Sequence, residues 1–315
     1  MSRNEVEISV VIPVYRSEGS LELLYQRLRA TLASLTPLWQ IVFVEDRGPD
    51  GSWAVLERLA NADPRVTALR LSRNFGQHAA ITAGFTRSVG KWTVVMDCDL
   101  QDPPEVISRL YVAAQDGHDI VFARRTQRTH SLLRKLLAKG YFALLRATTG
   151  TRIDERYGTF SIVSRKVVDA YLSFKDRDRH YLFILYWLGF TTTAIDYAQG
   201  ERMSGHSSYS LSRLLAHAFA GLFFQTTAIL RWIVYLGLAT SASGALLAFY
   251  LIYRYAVYGV RQEGWTSLAV LLLVLSGAVI TTTGVAGLYT GKMFEQVKER
   301  PLFVVDLVIN GAMGE

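Results

Sequence analysis

Two aspartates separated by one residue, Asp97 and Asp99, follow a run of apolar residues in the segment 94-VVMDCDLQDPP-104. Carboxylates gathered at the end of a buried strand repel one another, so they need a compensating cation. Because side chains alternate along an extended chain, Asp97, Asp99 and Gln101 are expected to face one site. Oxygen ligands of this kind suit Mg²⁺ or Mn²⁺, which proteins hold through one or two carboxylates and substrate phosphates. The segment is therefore predicted to be a divalent-metal site.

The neighbours of this pair have ordinary structural interpretations. Asp102 precedes two prolines at the start of a helical pattern, so it is predicted to be the helix N-cap. Cys98, the single cysteine of the chain, cannot form an intramolecular disulfide, which is consistent with a reducing compartment. A bare D-x-D pattern is a weak signal, so its weight depends on the elements that position it.

Strand and helix patterns alternate through the first 125 residues. Strands are predicted at 8–15, 39–46, 66–72, 91–97 and 118–125, and helices at 19–35, 51–62, 77–90 and 104–117. This rhythm predicts an α/β fold with a doubly wound, mainly parallel sheet. Ligands bind such sheets beyond the carboxyl ends of the strands. Polar residues collect at those ends, namely Tyr15, Glu18, Glu45, Asp46, Asn74, Asp97, Asp99, Arg124 and Arg125.

The second half of the chain changes character. Residues 232–253 and 264–291 contain no charged side chain, and a helix needs roughly 20 apolar residues to cross a bilayer. They are expected to form a transmembrane helical hairpin, with a pair of buried core helices as the alternative. Residues 126–150 form a basic amphipathic pattern that fits either a solvated helix or an interfacial one. Residues 211–230 are a second interfacial candidate.

The charge distribution indicates how the chain meets the membrane. Lys and Arg are more frequent beside the outer ends of the two spans than in the loop between them, which places the N-terminal domain in the cytoplasm. The polar N-terminus leads directly into a strand, so no signal peptide is expected. A net charge of +7 suits anionic lipid, and no basic array or motif indicates nucleic-acid binding.

Five motifs in fixed order carry a family resemblance. They read VVIPVYRSEGSL, VFVEDRGPDGSW, LSRNFGQHAAITAGF, VVMDCDLQDPPE and VFARR. Together they closely resemble the family 2 glycosyltransferases, and more narrowly the polyprenyl-phosphate glycosyltransferases related to dolichyl-phosphate mannose synthase. This resemblance covers nearly the whole chain, including the helical hairpin and the closing ERPLFVVDLV segment. It implies a GT-A type fold and transfer of a sugar from a nucleotide-sugar to a polyprenyl phosphate.

The resemblance assigns the donor side of the site. The implied nucleotide-sugar set is Pro13, Tyr15, Glu18, Asp46, Asn74, Asp97, Asp154 and Arg202. Tyr15 would stack on the base, Asp46 would read its edge, and Asp97 would support the ribose. Asp99 and Gln101, with Asp97 beside them, would hold Mg²⁺ or Mn²⁺ on the diphosphate, where the metal acts as a Lewis acid.

The acceptor side needs positive charge rather than a general base. A lipid phosphate is nearly dianionic at neutral pH, because its second pKa is about 6, so it is already a nucleophile. Arg124 and Arg134 align with the arginines that bind the acceptor phosphate in the family, and Arg125 either substitutes for one or is solvated. The expected catalytic set is therefore Asp97, Asp99, Arg124 and Arg134.

The sequence also departs from the family pattern. EDRGPD stands where D-D-G-S-x-D is usual, so Arg47 and Gly48 alter the turn after the second strand. In the loop 201-ERMSGHSSYSLSRLL-215, which would close over the donor, Ser208 replaces the usual lysine and leaves Arg202 as its strong cation. Ala138 replaces a serine that often follows the second acceptor arginine.

These observations define the expected protein. A cytoplasmic catalytic domain spans 1–210, an interfacial helix 211–230, two transmembrane helices 231–291, and a C-terminal segment 292–315 returns to the catalytic domain. The expected location is the plasma (inner) membrane, and a homo-oligomer is compatible with the sequence. Transfer is expected from a UDP- or GDP-linked sugar to undecaprenyl or dolichyl phosphate, with inversion. The alternatives are a polysaccharide-elongating family 2 enzyme and an inactive membrane scaffold of the same fold.

Overall fold

A computed structural model describes residues 6–126, 156–177, 179–200, 228–259 and 264–311. The described residues fall into two units. The first contains one mixed sheet with helices on both faces, and the second contains two long helices. Three of the sequence-predicted site residues, Arg134, Asp154 and Arg202, lie outside the described residues, as does Ser208.

The sheet has eight strands within the described part of the chain. They are Ile8–Val14 (β1), Trp39–Glu45 (β2), Val66–Leu71 (β3), Trp92–Val95 (β4), Ile120–Arg125 (β5), Tyr157–Ser164 (β6), Thr192–Tyr197 (β7) and Val305–Ile309 (β8). The five predicted strands are all present, with ends within two residues of prediction. The last three were not predicted from the sequence.

The strand order is β7-β5-β6-β4-β1-β2-β3-β8. Pairs β1–β2, β1–β4, β2–β3 and β5–β7 are parallel, whereas β6 and β8 pair antiparallel with their neighbours. The prediction of a mainly parallel sheet is therefore confirmed for its centre. β6 lies between β4 and β5, so these two predicted strands are not neighbours.

Helices cover both faces of the sheet. Their bounds are Glu18–Leu35 (α1), Ser52–Ala62 (α2), Gln77–Arg87 (α3), Val106–Gln115 (α4), Arg165–Ser173 (α5) and Tyr181–Leu188 (α6). Alternate residues of β1 point to opposite faces, so Ile12 packs with α1, α2 and α4 while Val11 packs with α3, α5 and α6. Two hydrophobic cores result, and the doubly wound arrangement is confirmed.

Glycine allows one close approach between a helix and the sheet. At Gly84 in α3, an added Cβ would lie 2.2 Å from Cγ1 of Val11 in β1. Only a residue without a side chain lets α3 pack this closely on the central strand. The amino-terminal end of α3 is thereby fixed beside the carboxyl ends of the strands.

The second unit contains Ala228–Tyr258 (α7) and Trp265–Val297 (α8). Both predicted spans, 232–253 and 264–291, are helical. The described residues include no helix that is long and apolar enough to cross a bilayer, so the predicted transmembrane hairpin is not found. Many large apolar side chains of these helices are exposed, including Leu246 and Phe249.

Candidate active site

The acidic segment lies where the order of the strands reverses. β1 lies between β4 and β2 in the sheet. The helices connected to the strands on its two sides cover opposite faces of the sheet. A crevice therefore opens beyond the carboxyl ends of β1 and β4. β4 pairs with β1 only as far as Val11 opposite Val95, whereas β1 continues to Val14 beside β2. Pro13, which has no N–H to donate, lies in this part of β1 and is buried.

The loop after β4 is not an extended strand. Leu100 has a φ of 63°, in the left-handed region, so the chain turns between Asp99 and Gln101. The turn is closed by the Gln101 N–H, which donates to Oδ1 of Asp99 over 3.1 Å. The prediction that Asp97, Asp99 and Gln101 share one face of an extended strand was therefore wrong, because this segment is not extended. Beyond this turn, Asp102 lies close enough to Asp97 for its charge to act on that carboxylate.

Helix α1 holds this loop in place through two serines. The Ser20 hydroxyl donates to the carbonyl oxygen of Cys98 over 2.8 Å, and Oγ of Ser17 lies 2.9 Å from the Cys98 sulfur. Burial raises the pKa of the Cys98 thiol to about 11, so it stays protonated. Cys98 therefore acts as a buried attachment point between the two aspartates.

Asp97 is held by two side chains that the sequence did not single out. Its Oδ1 accepts hydrogen bonds from Nε2 of Gln77 at 2.7 Å and from the Thr159 hydroxyl at 3.0 Å. Burial raises the pKa of Asp97 to about 6, and the negative charges of Asp102 and Asp99 add to this effect. The carboxylate is therefore oriented by donors but surrounded by like charge.

Asp102 is part of a buried network and not a helix cap. Helix α4 begins at Val106 and its N-cap is Glu105, so the predicted capping role was wrong. Asp102 is fully buried, and its Oδ1 accepts from the Tyr197 hydroxyl and from Nη2 of Arg125. Its Oδ2 has no hydrogen-bond partner in the part of the chain that the structure describes. An aspartate before two prolines looks the same in sequence whether it caps a helix or pairs with a distant arginine.

Arg124 and Arg125 lie in different surroundings. Arg124 forms a two-point ion pair with Asp196 on the neighbouring strand β7, and this pair is partly exposed. Arg125 is mostly buried and donates through Nε to the Tyr197 hydroxyl over 3.1 Å. Burial alone would lower the pKa of Arg125, but Asp102 and Tyr197 outweigh it and raise the pKa. Arg125 is therefore the arginine whose charge acts on the acid cluster.

Asp46 organises a second loop. Its two oxygens accept from the backbone N–H groups of Phe75 and Gly76, at 2.7 and 2.8 Å. Burial raises the pKa of this carboxyl and the two N–H groups oppose the shift. Gly76 has a φ of 92°, which only glycine adopts at low cost, and it precedes the first residue of α3. The Asn74 turn is thus fixed to the end of β2.

Tyr15 and Glu18 flank the end of β1. Tyr15 is 44% exposed, and the guanidinium carbon of Arg16 lies over its ring, 5.3 Å from the centroid. Oε2 of Glu18 accepts from the Gly51 N–H over 3.0 Å, and the Glu18 N–H donates to Asp50 over 3.1 Å. Glu18 therefore ties the β1 loop to the β2 loop in this structure.

The acid cluster offers carboxylate oxygens, which are the ligand type that hard divalent cations prefer. The negative charges of Asp102 and Asp99 lie close enough to Asp97 to raise its pKa, and one oxygen of Asp102 has no hydrogen-bond partner among the described residues. In the part of the chain that the structure describes, no group of three or more histidine, cysteine and acidic side chains has metal-binding geometry. A metal held here would need ligands from a bound phosphate.

Comparison with known proteins decides the family. A sequence model described as "Glycosyl transferase family 2" matches residues 9–172, which include Pro13, the acidic loop and Arg125. The chain belongs to glycosyltransferase family 2. It is therefore a glycosyltransferase, and the resemblance found in the motifs is confirmed.

Relatives match this glycosyltransferase over nearly its whole length. The uncharacterized glycosyltransferase YkcC of Bacillus subtilis is 34% identical over 97% of this chain and 94% of its own. The undecaprenyl-phosphate 4-deoxy-4-formamido-L-arabinose transferase of Photorhabdus laumondii is 34% identical over 96% and 94%. The bactoprenol glucosyl transferase from the SfII prophage of Shigella flexneri is 32% identical over 95% and 97%.

Solved structures resemble the family 2 chain more distantly. The mannosyltransferase PcManGT from Pyrobaculum calidifontis, in complex with GDP-Man and Mn²⁺, is 15% identical. The match covers 95% of this chain and 89% of that one, with a TM-score of 0.48.

Proposed function

We propose that this glycosyltransferase transfers a sugar from a nucleotide-sugar to a polyprenyl phosphate at the cytoplasmic face of the membrane. The observation that carries the proposal is the acidic loop from Asp97 to Asp102 at the crevice, whose Asp102 carboxylate pairs with the mostly buried cation of Arg125. Two relatives that match along the whole chain are named for transfer to undecaprenyl phosphate and bactoprenol, which supports the lipid acceptor.

The donor would lie across the carboxyl ends of β1, β2 and β4. Tyr15 offers a stacking face for the base, and Asn74 lies on the turn fixed by Asp46. Because both Asp46 oxygens already accept from backbone N–H groups, its role in reading the base would use their remaining lone pairs. Asp97 would support the ribose, with its orientation set by Gln77 and Thr159.

Asp99, with Asp97 and Gln101, would hold Mg²⁺ or Mn²⁺ against the donor diphosphate. The metal would supply Lewis-acid stabilisation of the charge that develops on the departing nucleoside diphosphate. The side-chain oxygen of Gln101 already accepts from Gln199 over 3.0 Å, which fixes its position beside the loop. Asp154 and Arg202 complete the proposed donor set from outside the described residues.

The acceptor phosphate would be the nucleophile. One of its oxygens attacks the anomeric carbon, the bond from that carbon to the diphosphate breaks, and the nucleoside diphosphate leaves with the bonding electrons. Attack from the opposite side inverts the anomeric centre. No proton has to be removed from a phosphate dianion, so arginines are needed rather than a base. Arg124, Arg125 and Arg134 are the proposed arginines. Of the two that lie within the described residues, Arg125 pairs with Asp102 of the acid cluster and Arg124 pairs with Asp196.

Membrane contact would come from the second unit. Helices α7 and α8 expose large apolar side chains along their length, including Leu236 at 68% and Ile280 at 72%. Exposed apolar surface of this extent typically marks a membrane or protein contact. The proposed acceptor is a lipid, which favours the membrane.

A donor panel tests this proposal. Purified protein in vesicles with undecaprenyl phosphate is incubated with UDP- and GDP-linked sugars and either Mg²⁺ or Mn²⁺, and lipid products are read by mass spectrometry. We expect one donor to give a glycosylated lipid phosphate, EDTA to abolish it, and Asp99→Ala to give none. Product from Asp99→Ala at the wild-type rate would refute the metal assignment. No lipid product from any donor would refute the proposed function.

A further inference from the structure

The turn after β2 departs from the family pattern at Arg47, and the structure pairs this residue with the C-terminal strand. Arg47 has a φ of 54°, a left-handed conformation that side chains other than glycine rarely adopt. Its Nη1 lies 2.8 Å from Oδ2 of Asp306 in β8. The same oxygen accepts from Arg70 of β3, at 2.8 Å from Nη2 and 3.1 Å from Nε. One carboxylate therefore binds two arginines from neighbouring strand ends.

β8 is itself firmly attached to the edge of the sheet. It pairs antiparallel with β3, with Leu307 opposite Arg70, and the N–H of Ser72 donates to the carbonyl of Val304 over 2.9 Å. Beyond the strand, the Asn310 amide donates to the carbonyl of Val66 over 3.1 Å. Both ends of β8 are thus anchored, and Asp306 is held at a set position between them.

The contacts of Asp306 connect to the loops of the proposed donor site through two arginines. Arg47 adjoins Asp46, whose carboxylate binds the N–H groups of Phe75 and Gly76. Arg70 and Ser72 lead along β3 to Asn74 on the same turn. The two loops that carry Asp46 and Asn74 are therefore joined to each other and, through Arg47 and Arg70, to Asp306.

Charge explains why a carboxylate is needed at this position. Without it, two guanidinium groups would lie close together at the ends of adjacent strands, where burial raises the pKa of Glu45 and both of their charges are close enough to act to lower it. Hydrogen bonds from Arg70 and Arg47 lower the pKa of Asp306, so the carboxylate stays ionised at neutral pH. The Arg70 guanidinium also lies 5.0 Å from the Trp53 ring centroid, which limits where it can move.

We propose that Asp306 is a positioning residue for the donor nucleotide, which it serves by holding Arg47 and Arg70 and thereby the β2 and β3 loops. The inference rests on the proposed function and extends it to a strand outside the family-matched residues 9–172. It also explains the altered EDRGPD motif, because Arg47 has a matching acid in the C-terminal segment. In this proposal Asp306 acts through Arg47 and Arg70 and would not itself contact the sugar or the phosphates.

The test compares Asp306→Asn and Asp306→Glu with the wild-type full-length protein. UDP and GDP are titrated calorimetrically in the presence of Mn²⁺, and KM is measured separately for the donor and for undecaprenyl phosphate. Asp306→Asn should weaken nucleotide binding and raise the donor KM by about three- to tenfold, because a partly exposed ion-pair network is lost. The acceptor KM should be unchanged, and Asp306→Glu should recover most of the binding. Asp169→Asn removes a comparable exposed ion pair on α5 and is the matched control.

Amide hydrogen exchange provides a readout that does not depend on activity. Asp306→Asn should speed exchange at Phe75 and Gly76, while the core strand β1 keeps wild-type protection. Unchanged exchange at these amides, or wild-type nucleotide binding by Asp306→Asn, would overturn the inference and leave the proposed function standing. A wild-type protein that binds neither UDP nor GDP would overturn both.

Discussion

At the scale of the residue, the acid cluster combines charges whose mutual repulsion the fold does not fully relieve. Asp97 is oriented by Gln77 and Thr159, but burial and its acidic neighbours raise its pKa to about 6. An ionised carboxylate with a raised pKa destabilises the ligand-free protein. A bound cation would compensate its negative charge. The acid cluster therefore lowers the stability of the ligand-free protein and favours binding of a cation.

Replacing Asp97 by asparagine should stabilise the ligand-free protein at neutral pH. The folded-state pKa of about 6 lies above the unfolded value of 3.8, so ionisation between these pH values costs folding free energy. Asparagine keeps an acceptor for Gln77 and Thr159 but carries no charge. Asp97→Asn should gain up to about 3 kcal/mol at pH 7.5, and the gain should shrink to nothing near pH 4.

Urea unfolding at several pH values measures this difference. Asp116→Asn, on an exposed turn, is the control and should change stability little at any pH. A loss of stability in Asp97→Asn at pH 7.5 would show that the charge is already compensated in the free protein.

Arg125 should be the most important arginine for stability. It compensates the fully buried Asp102, so Arg125→Met would leave an unpaired charge in the interior. The expected loss is about 3–5 kcal/mol in urea unfolding. The double variant Arg125→Met, Asp102→Leu should recover much of it, because both charges are then removed. A single variant as stable as the wild type would refute the buried pair.

At the scale of the element, the close approach of α3 to β1 fixes the crevice. Gly84→Ala would place a Cβ 2.2 Å from Val11, so helix and strand must separate. We expect a loss of about 1–3 kcal/mol in urea unfolding, together with weaker nucleotide binding. Gly19→Ala in α1, where an added Cβ meets nothing within 4 Å, should instead stabilise by up to about 1 kcal/mol. Equal effects of the two substitutions would contradict the packing argument.

The elements that the sequence predicted are those with regular local patterns. The apolar runs of β1 to β5 and the amphipathic helices between them give clear signals, and their ends agree within three residues. β6 and β7 lie on either side of two short helices, α5 and α6, that the sequence analysis did not predict, and β8 follows two long helices, so the alternation of strand and helix patterns did not reveal these strands. Strand β8 in particular joins the sheet only through pairing with β3, more than 230 residues earlier in the chain.

Site residues were likewise predicted where they form a local motif and missed where they pair with residues distant in the chain. Asp97 and Asp99 were found from a motif of adjacent positions, and the structure places them at the crevice. The pairing of Arg125 with Asp102 and Tyr197 joins residues 23 and 72 positions away, which spacing along the chain does not predict. Gln77 and Thr159 were missed because a neutral donor carries no signal until its acceptor is known.

At the scale of the whole molecule, the exposed apolar side chains of α7 and α8 should bind lipid. Leu246→Asp combined with Phe249→Asp, which changes side chains 72% and 74% exposed, should lower the vesicle-bound fraction more than about tenfold. Co-sedimentation with vesicles containing anionic lipid measures it. Val112→Asp, an exposed apolar position on α4, is the control and should bind as wild type. Unchanged sedimentation of the double variant would place the lipid contact elsewhere.

The central claim is that the lipid phosphate itself receives the sugar. It is tested most directly by presenting the purified protein with undecaprenyl phosphate or undecaprenol in otherwise identical vesicles, with the active donor and Mn²⁺, and identifying the lipid product by mass spectrometry. The account predicts that sugar is transferred to the phosphate alone, because a phosphate dianion can attack without losing a proton, whereas an alcohol would need a base to remove one. Transfer to undecaprenol at a comparable rate, or none to undecaprenyl phosphate, would contradict it.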